Sequence, residues 1–424
     1  MAFRKRTSHP VQAGSLIIGG NAPVSIQGMT KTKTADLRQT LNQIHSIQNA
    51  GADIIRLAIR DRDDLTAFKL LRKKTTLTLV ADIHFQSELA LGAIKAGADK
   101  IRLNPGNIKN PEQLKKIIKE AKKRKIAIRV GVNSGSLPPH LHPLPGGARS
   151  VDASHLTSPH KGEEFLGVAS PRKGKEFNPV IPFFSPSPQR GEGGGEGDEL
   201  SLAHAMVSAA KNYLNIFEAE DFRNLVVSLK SSSVRTAILA NRIFRQQFDY
   251  PLHLGITESG RGNLALVKSA IGIGSLLEEG IGDTIRVSLS GPPEEEIEAG
   301  RQILQALGLR YFYPEIISCP TCGRCQVNLF KILEKVETGL KCLPGYPRDY
   351  AGIKIAVMGC EVNGPGEAAA ADIGIAAGRK NGFLFTKGRE IAKINEEELA
   401  PVLLREIRKL RKNRGRDKRS HSLG

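Results

Sequence analysis

Residues 99–107 read DKIRLNPGN and residues 52–59 read ADIIRLAI. Each is a short apolar run with an arginine set between two apolar neighbours. Runs of the same kind recur as PVSIQGMT from Pro23, LTLVADIHF from Leu77, IAIRVGVNSGS from Ile126, LVVSLKSS from Leu225, PLHLGITESG from Pro251 and DTIRVSLSG from Asp283. An amphipathic helical stretch follows each, which makes eight strand–helix units. Strands alternating with helices at this interval build a parallel sheet, and eight of them close it. The predicted fold is α/β, a (β/α)8 TIM barrel over residues 1–310.

Successive runs start about 22 to 32 residues apart, except from Ile126 to Leu225. Within that gap, residues 138–198 hold segments such as SPRKGKEF and FFSPSPQRGEGGGEGDEL, rich in Pro, Gly and Ser and without periodicity. Such a composition buries too little apolar surface to offset its ordering entropy, so it reads as a disordered insertion in one βα loop. Its histidines, His140, His142, His155 and His160, are too irregularly spaced to suggest a metal site. Beyond RQILQALGLR the pattern changes. Residues 311–410 contain all the cysteines, a predicted helix VNLFKILEKVETGL, strands in GIKIAVMG and ADIGIAAG, and a final charged helix. They read as a separate small α+β domain, followed by a basic tail at 411–424.

The bulk properties narrow the class. The chain has 424 residues, of which 40% are hydrophobic, and no apolar run reaches the roughly 18 to 20 residues of a membrane span. The start, MAFRKRTSHPV, lacks the apolar region of a secretory signal, so a cytoplasmic location is expected. Five clustered cysteines in a chain of this length suit metal binding or catalysis better than a disulfide framework. The net charge of +19 invites a nucleic-acid reading. Nine Lys/Arg against Glu406 and Asp417 fall between Arg405 and Arg419, however, as a solvated helix and tail would have them. With 5% aromatics and no Trp there is little to stack on bases, so neither nucleic acid nor membrane is expected as a partner.

Barrel active sites lie at the carboxyl ends of the strands. Arg56, Arg102, Arg129 and Arg286 each sit between two apolar residues of a strand, and Lys230 follows VVSL. Side chains alternate along a strand, so apolar neighbours packed outward on helices leave these cations pointing into the barrel. The acids near them are few, chiefly Asp82 and Glu258. Cations so crowded would be costly without an anion, and the arginine fork suits phosphate oxygens, with Asn133 and Ser288 adding neutral hydrogen bonds. A diphosphate fits better than one carboxylate. Glu258 in ITESG, and Asp82 with His84 in ADIHF, are the titratable groups available for proton transfer.

The stretch SCPTCGRC, residues 318–325, supplies Cys319, Cys322 and Cys325. A zinc ribbon wants two CxxC pairs, and only Cys319 with Cys322 forms a clear one. The CxxCxxC run is similar to that of bacterial ferredoxins, which needs a distant fourth ligand. Cys360 ends a predicted strand and opens the turn NGPG, so it is placed for that role. Glu367 follows seven residues later. A carboxylate binds cluster iron more weakly than thiolate, so a set of three cysteines and Glu367 would leave one iron with a displaceable ligand.

The strings PVSIQGMT, KIRLNPGNI, RVGVNSGSL, HLGITESG, SAIGIGSLLEEGIGDTIRVSLS, CPTCGR and GCEVNGPGEA resemble, in order, those of the 4-hydroxy-3-methylbut-2-enyl diphosphate synthase family of the non-mevalonate isoprenoid pathway. The resemblance implies reductive ring opening and dehydroxylation of 2-C-methyl-D-erythritol 2,4-cyclodiphosphate, with electrons from flavodoxin or ferredoxin. It implies a second domain like ferredoxin or sulfite reductase holding a [4Fe–4S] cluster on Cys319, Cys322, Cys360 and Glu367. It also implies that Arg56, Arg102, Arg129, Asn133, Lys230, Arg286 and Ser288 bind the diphosphate, with Glu258 near the reacting carbons. A homodimer is implied, in which one subunit's cluster domain caps the other's barrel. Cys325 departs from the family pattern, which has a residue other than cysteine there. Two other classes are separable by experiment: a hydrolase or lyase with structural zinc, and a basic RNA-binding protein.

Overall fold

The computed structural model describes residues 7–83, 86–104, 111–137, 196–360 and 362–420. Eight parallel strands form the barrel: β3 (Ser25–Met29), β4 (Ile54–Ala58), β5 (Thr78–Ile83), β6 (Lys100–Leu103), β7 (Ala127–Asn133), β8 (Leu225–Lys230), β9 (His253–Leu254) and β10 (Thr284–Ile285). They follow the order β8-β7-β6-β5-β4-β3-β10-β9, and a parallel bridge between Val227 and Leu252 joins the two ends. All eight coincide with the expected runs.

The alternation works as the sequence requires. Ile55, Leu57, Ile101, Leu103, Ile128, Val130 and Val227 face outward into the main core, under helices such as α4 (Pro111–Arg124). There Leu114, Ile117, Ile118 and Ala121 recur at helical spacing and are buried. Ile54, Val80, Ala127 and Val226 face inward and form a second, separate cluster with Val11, Ala13 and Ile18. Those last three belong to an antiparallel hairpin, β1 (Val11–Ala13) and β2 (Leu16–Ile18), that plugs the amino-terminal end of the barrel. The site can therefore open only at the other end.

The expected insertion at 138–198 lies outside the described residues except for its last three. Those belong to helix α5 (Glu196–Ala219), so that helix begins slightly before the composition suggests.

The second domain has its own core around a five-stranded sheet, β11 (Glu315–Ser318), β12 (Lys354–Met358), β13 (Ile373–Ala377), β14 (Asn381–Thr386) and β15 (Arg389–Asn395). The first three strands are parallel and the last two pairings antiparallel. Helices α9 (Leu329–Lys341) and α11 (Leu399–Ser420) cover one face through Val336, Leu340, Leu403 and Ile407. Helix α10 (Gly364–Ala370) packs on the other. Because α11 runs to Ser420, much of the expected basic tail is helical. Among the described residues no helix is long and apolar enough to cross a membrane.

Candidate active site

Pairing in the sheet sets Arg102 beside Asp82 on one side and Arg129 on the other. Asp82 serves two guanidiniums, with Oδ1 3.5 Å from Arg102 Nη1 and Oδ2 3.6 Å from Arg56 Nε. Arg286 Nη2 lies 3.3 Å from Glu296 Oε2, and Glu296 also receives Lys31 at 3.1 Å. Arg129 is 2% exposed, and its Nε and Nη1 have no protein partner among the described residues. The inward glycines make room: a Cβ on Gly131 would stand 3.0 Å from Arg102 Nε, and one on Gly255 would stand 2.6 Å from Lys230 Nζ. Five strand cations thus crowd a space where Asp82 and Glu296 are the facing carboxylates.

Electrostatics records the crowding. Burial first, then Arg56 and Arg102, push the Arg129 guanidinium well below its ordinary value. Burial and then Arg56 bring Arg286 down to about 10. Guanidinium stays protonated at neutral pH even so, and the shifts record first its burial and then unrelieved repulsion between neighbours. Lys230 is pushed well below its ordinary value by burial, then by Arg129 and Arg286. An arriving polyanion would relieve all of these at once.

Above this layer a cleft of about 550 Å³ brings together Asn133, Glu258, Arg286 and Ser288. Glu258 is exposed and holds a left-handed backbone, φ +54°, a conformation uncommon for a non-glycine residue and typical of functional loops. His84 lies outside the described residues. Sequence reasoning missed Lys31, Glu296, Lys100 and His253. The strand alternation could have found Lys100 and His253, which stand two residues before the inward positions Arg102 and Gly255. Nothing distinguishes Glu296 from the other glutamates at the start of α8 (Pro293–Ala306).

Lys100 is fully buried and its Nζ has no protein partner among the described residues. Burial, then Arg129 and Arg56, hold it well below its ordinary value of 10.5. The unfolded chain consequently binds more protons than the folded one below 10.5 and above the lowered value, so this group makes stability rise with pH across that window. Lys100→Met should raise the melting temperature at pH 7, since an unpartnered buried polar group costs about 1–3 kcal/mol, and should flatten the rise between pH 6 and 9. Thermal melts of both proteins across that range test this; a Met variant that melts lower at every pH overturns it.

On the second domain, the parallel register of β11 with β12 sets Ser318 opposite Val357, so Cys319 and Cys360 emerge at the same end of the sheet. Gln326 N donates to Gly359 O at 3.0 Å and ties the cysteine loop to that end. A Cβ on Gly359 would stand 2.5 Å from Cys325 Sγ and 3.6 Å from Cys319 Sγ. Cys322 is exposed, and Cys325 N donates to its carbonyl at 2.9 Å. Backbone N–H groups of Asn363 and Val362 lower the Cys360 thiol, with Gly364 and Arg324 assisting, at the start of α10. Glu367 is exposed in the first turn of that helix. Cys342 caps the far end of α9 and stands apart in the fold.

Do these residues fit a cluster? Soft thiol donors sharing one sheet end, with a thiolate stabilised by backbone amides, suit iron–sulfur chemistry. Among the described residues no three such side chains converge on a single metal ion. A cluster distributes its ligands over different irons and does not require that convergence.

Two family models match the chain. The GcpE TIM-barrel domain covers residues 8–157 and 194–301, and the GcpE protein C-terminal domain covers 315–409. Relatives named 4-hydroxy-3-methylbut-2-en-1-yl diphosphate synthase (flavodoxin) match nearly end to end. The protein of Dehalococcoides mccartyi strain BAV1 is 42% identical over 96% of this chain and 99% of its own length. That of Clostridium perfringens is 41% identical over 96% and 99%, and that of Thermodesulfovibrio yellowstonii 41% over 96% and 100%.

Proposed function

The chain belongs to the GcpE family, the 4-hydroxy-3-methylbut-2-en-1-yl diphosphate synthases, and from that premise we propose how its own residues divide the work. It is an oxidoreductase that converts 2-C-methyl-D-erythritol 2,4-cyclodiphosphate to the allylic diphosphate. The balance is two electrons and one proton taken up, one water released and one negative charge gained by the organic product. The observation that carries the proposal is the crowd of buried and half-buried strand cations that, among the described residues, share Asp82 and Glu296 as their ion-pair partners.

Arg56, Arg102, Arg129, Lys230 and Arg286 grip the diphosphate, while Asn133 and Ser288 hydrogen-bond it at the rim. Ring opening turns a bridging ester oxygen into a terminal phosphate oxygen, so charge grows on atoms these cations already hold. They stabilise the transition state more than the bound substrate. Glu258, exposed at the mouth, manages the proton for the departing hydroxyl. A [4Fe–4S] cluster on Cys319, Cys322, Cys360 and Glu367 would supply electrons singly, drawn from reduced flavodoxin, and an iron with a displaceable carboxylate. Location in the cytoplasm belongs to the same proposal, because free thiols of this kind need a reducing compartment.

The domain arrangement supports a homodimer. Arg310, just past α8, binds Asp53 at 2.6 Å and Val24 O at 2.9 Å, both at the amino ends of barrel strands. Tyr346, Pro347 and Arg348 line a cleft with Gln48, Asn49 and Arg301 at that same end. The second domain therefore attaches opposite the mouth of its own barrel, which supports a reading in which the cysteines of another copy meet that mouth.

Anaerobic purification with iron, sulfide and zinc assays, followed by turnover with reduced flavodoxin, tests the proposal. Expected are iron and sulfide in about equal amounts, near four per chain, and turnover that needs the donor. Bound zinc with donor-independent turnover would overturn it.

A further inference from the structure

Beneath the gripping cations lies a second basic layer that the reaction above does not use. Lys100 stands two residues before Arg102 on β6, facing the same way, about 7 Å further from the mouth. Lys100 and His253 are both fully buried. His253 Nδ1 lies 3.4 Å from Thr284 Oγ1, and its Nε2 has no protein partner among the described residues. Gln27, from β3, likewise leaves both amide atoms unpartnered there.

We propose that Lys100 and His253 form a proton-accepting floor to the diphosphate site, so that substrate binding draws one proton from solvent onto this pair. The proposal rests on the reading of the cation layer as the diphosphate site. Of the charged groups around the floor, Arg56 from β4 and Arg129 from β7 act on both Lys100 and His253, and Lys230 from β8 acts on His253; Asp82 from β5, Arg102 from β6, Arg286 from β10 and Glu296 from α8 stand in the cation layer above. With so few carboxylates among them, a further positive charge in a dry interior is unfavourable, and both floor bases stay neutral. His253 is held well below its ordinary value by burial first, then by Lys230, Arg129 and Lys100.

The cyclodiphosphate carries one strongly acidic hydroxyl on each phosphorus, so it stays a dianion through the neutral range. Its arrival makes the potential at the floor less positive, and one of the two bases becomes protonated; their mutual repulsion limits uptake to one. Holding that proton there also offsets the third charge that ring opening places on the product.

Calorimetric titration of the anaerobic holoenzyme with the cyclodiphosphate, without reductant, in three buffers of different ionisation enthalpy at pH 7.5, reads the uptake directly. The wild-type protein should take up about one proton per chain, and Lys100→Met with His253→Asn should together remove at least half of it. No uptake in the wild type, or unchanged uptake in both single variants and the double one, overturns the proposal. If those variants fail to fold, the pH dependence of affinity decides it: wild-type affinity should weaken up to about tenfold per pH unit as pH rises through the window of uptake and Lys230→Gln should keep that slope, whereas flat wild-type affinity, or a slope lost with Lys230, overturns the floor. Arg56→Ala and Arg102→Ala separate the two readings. Undiminished binding in both would sink the diphosphate site itself, whereas binding at least about tenfold weaker, without proton uptake in the wild type, would sink only the floor.

Discussion

Cys360→Ser should empty the second domain of iron, from about four per chain to near zero, and abolish turnover. The fold itself biases the Cys360 thiol toward thiolate, through the backbone N–H groups of Asn363 and Val362. Serine offers a harder, far less acidic oxygen in the same place. Cys325→Ser should behave differently. Its Sγ lies against Gly359 and donates to Val327 O at 3.3 Å, and hydroxyl can make the same bond, so iron and most activity should survive. Glu367→Ala should keep part of the iron and little turnover, because a displaceable ligand matters to chemistry more than to assembly. The rival arrangement puts Cys325 in place of Glu367. Under it Cys325→Ser empties the site and Glu367→Ala is nearly silent, so anaerobic iron counts and turnover on the three variants decide between them.

The barrel was legible because its signal is redundant. All eight strands declare themselves by short apolar runs, and the inward direction of Arg56 follows from Ile55 and Leu57 on either side of it. The plug was not legible, since three-residue strands such as VQA and LII are too short to show a period. In the second domain β14 and β15 escaped for another reason. Their two-residue turn is Lys387-Gly388, both left-handed at φ +49° and +79°, and lysine is not a residue that advertises such a turn. Strand β15, REIAKIN, is mostly exposed at the sheet edge and reads as polar. Among site residues, those with a special type in a special place, the arginines and cysteines, stood out. Lys100 did not, because a lysine at the start of a strand reads as a solvated boundary until the closed barrel turns it inward.

Removing a gripping arginine should cost activity, and at Arg129, which has no ion pair with a carboxylate among the described residues, it should also return stability. Arg56→Ala, Arg102→Ala and Arg286→Ala each delete a charge-assisted contact of about 1.5–3 kcal/mol, a loss of roughly 10- to 150-fold in kcat/KM. Part should appear in kcat, since the contact strengthens as ring opening adds charge. Arg129→Met should show the contrast most sharply. That side chain is 2% exposed, two of its nitrogens lack a protein partner, and its neighbours Arg56 and Arg102 repel it. A methionine of similar reach removes the repulsion and fills the space, so the melting temperature should rise while kcat/KM falls about 100-fold and the iron content stays unchanged. A structural arginine would behave in the opposite way, with stability and activity falling together. Melting curves, iron counts and steady-state kinetics on these four variants therefore distinguish a binding layer from a packing one, and wild-type kinetics in all four would remove the basis for a diphosphate site in the barrel.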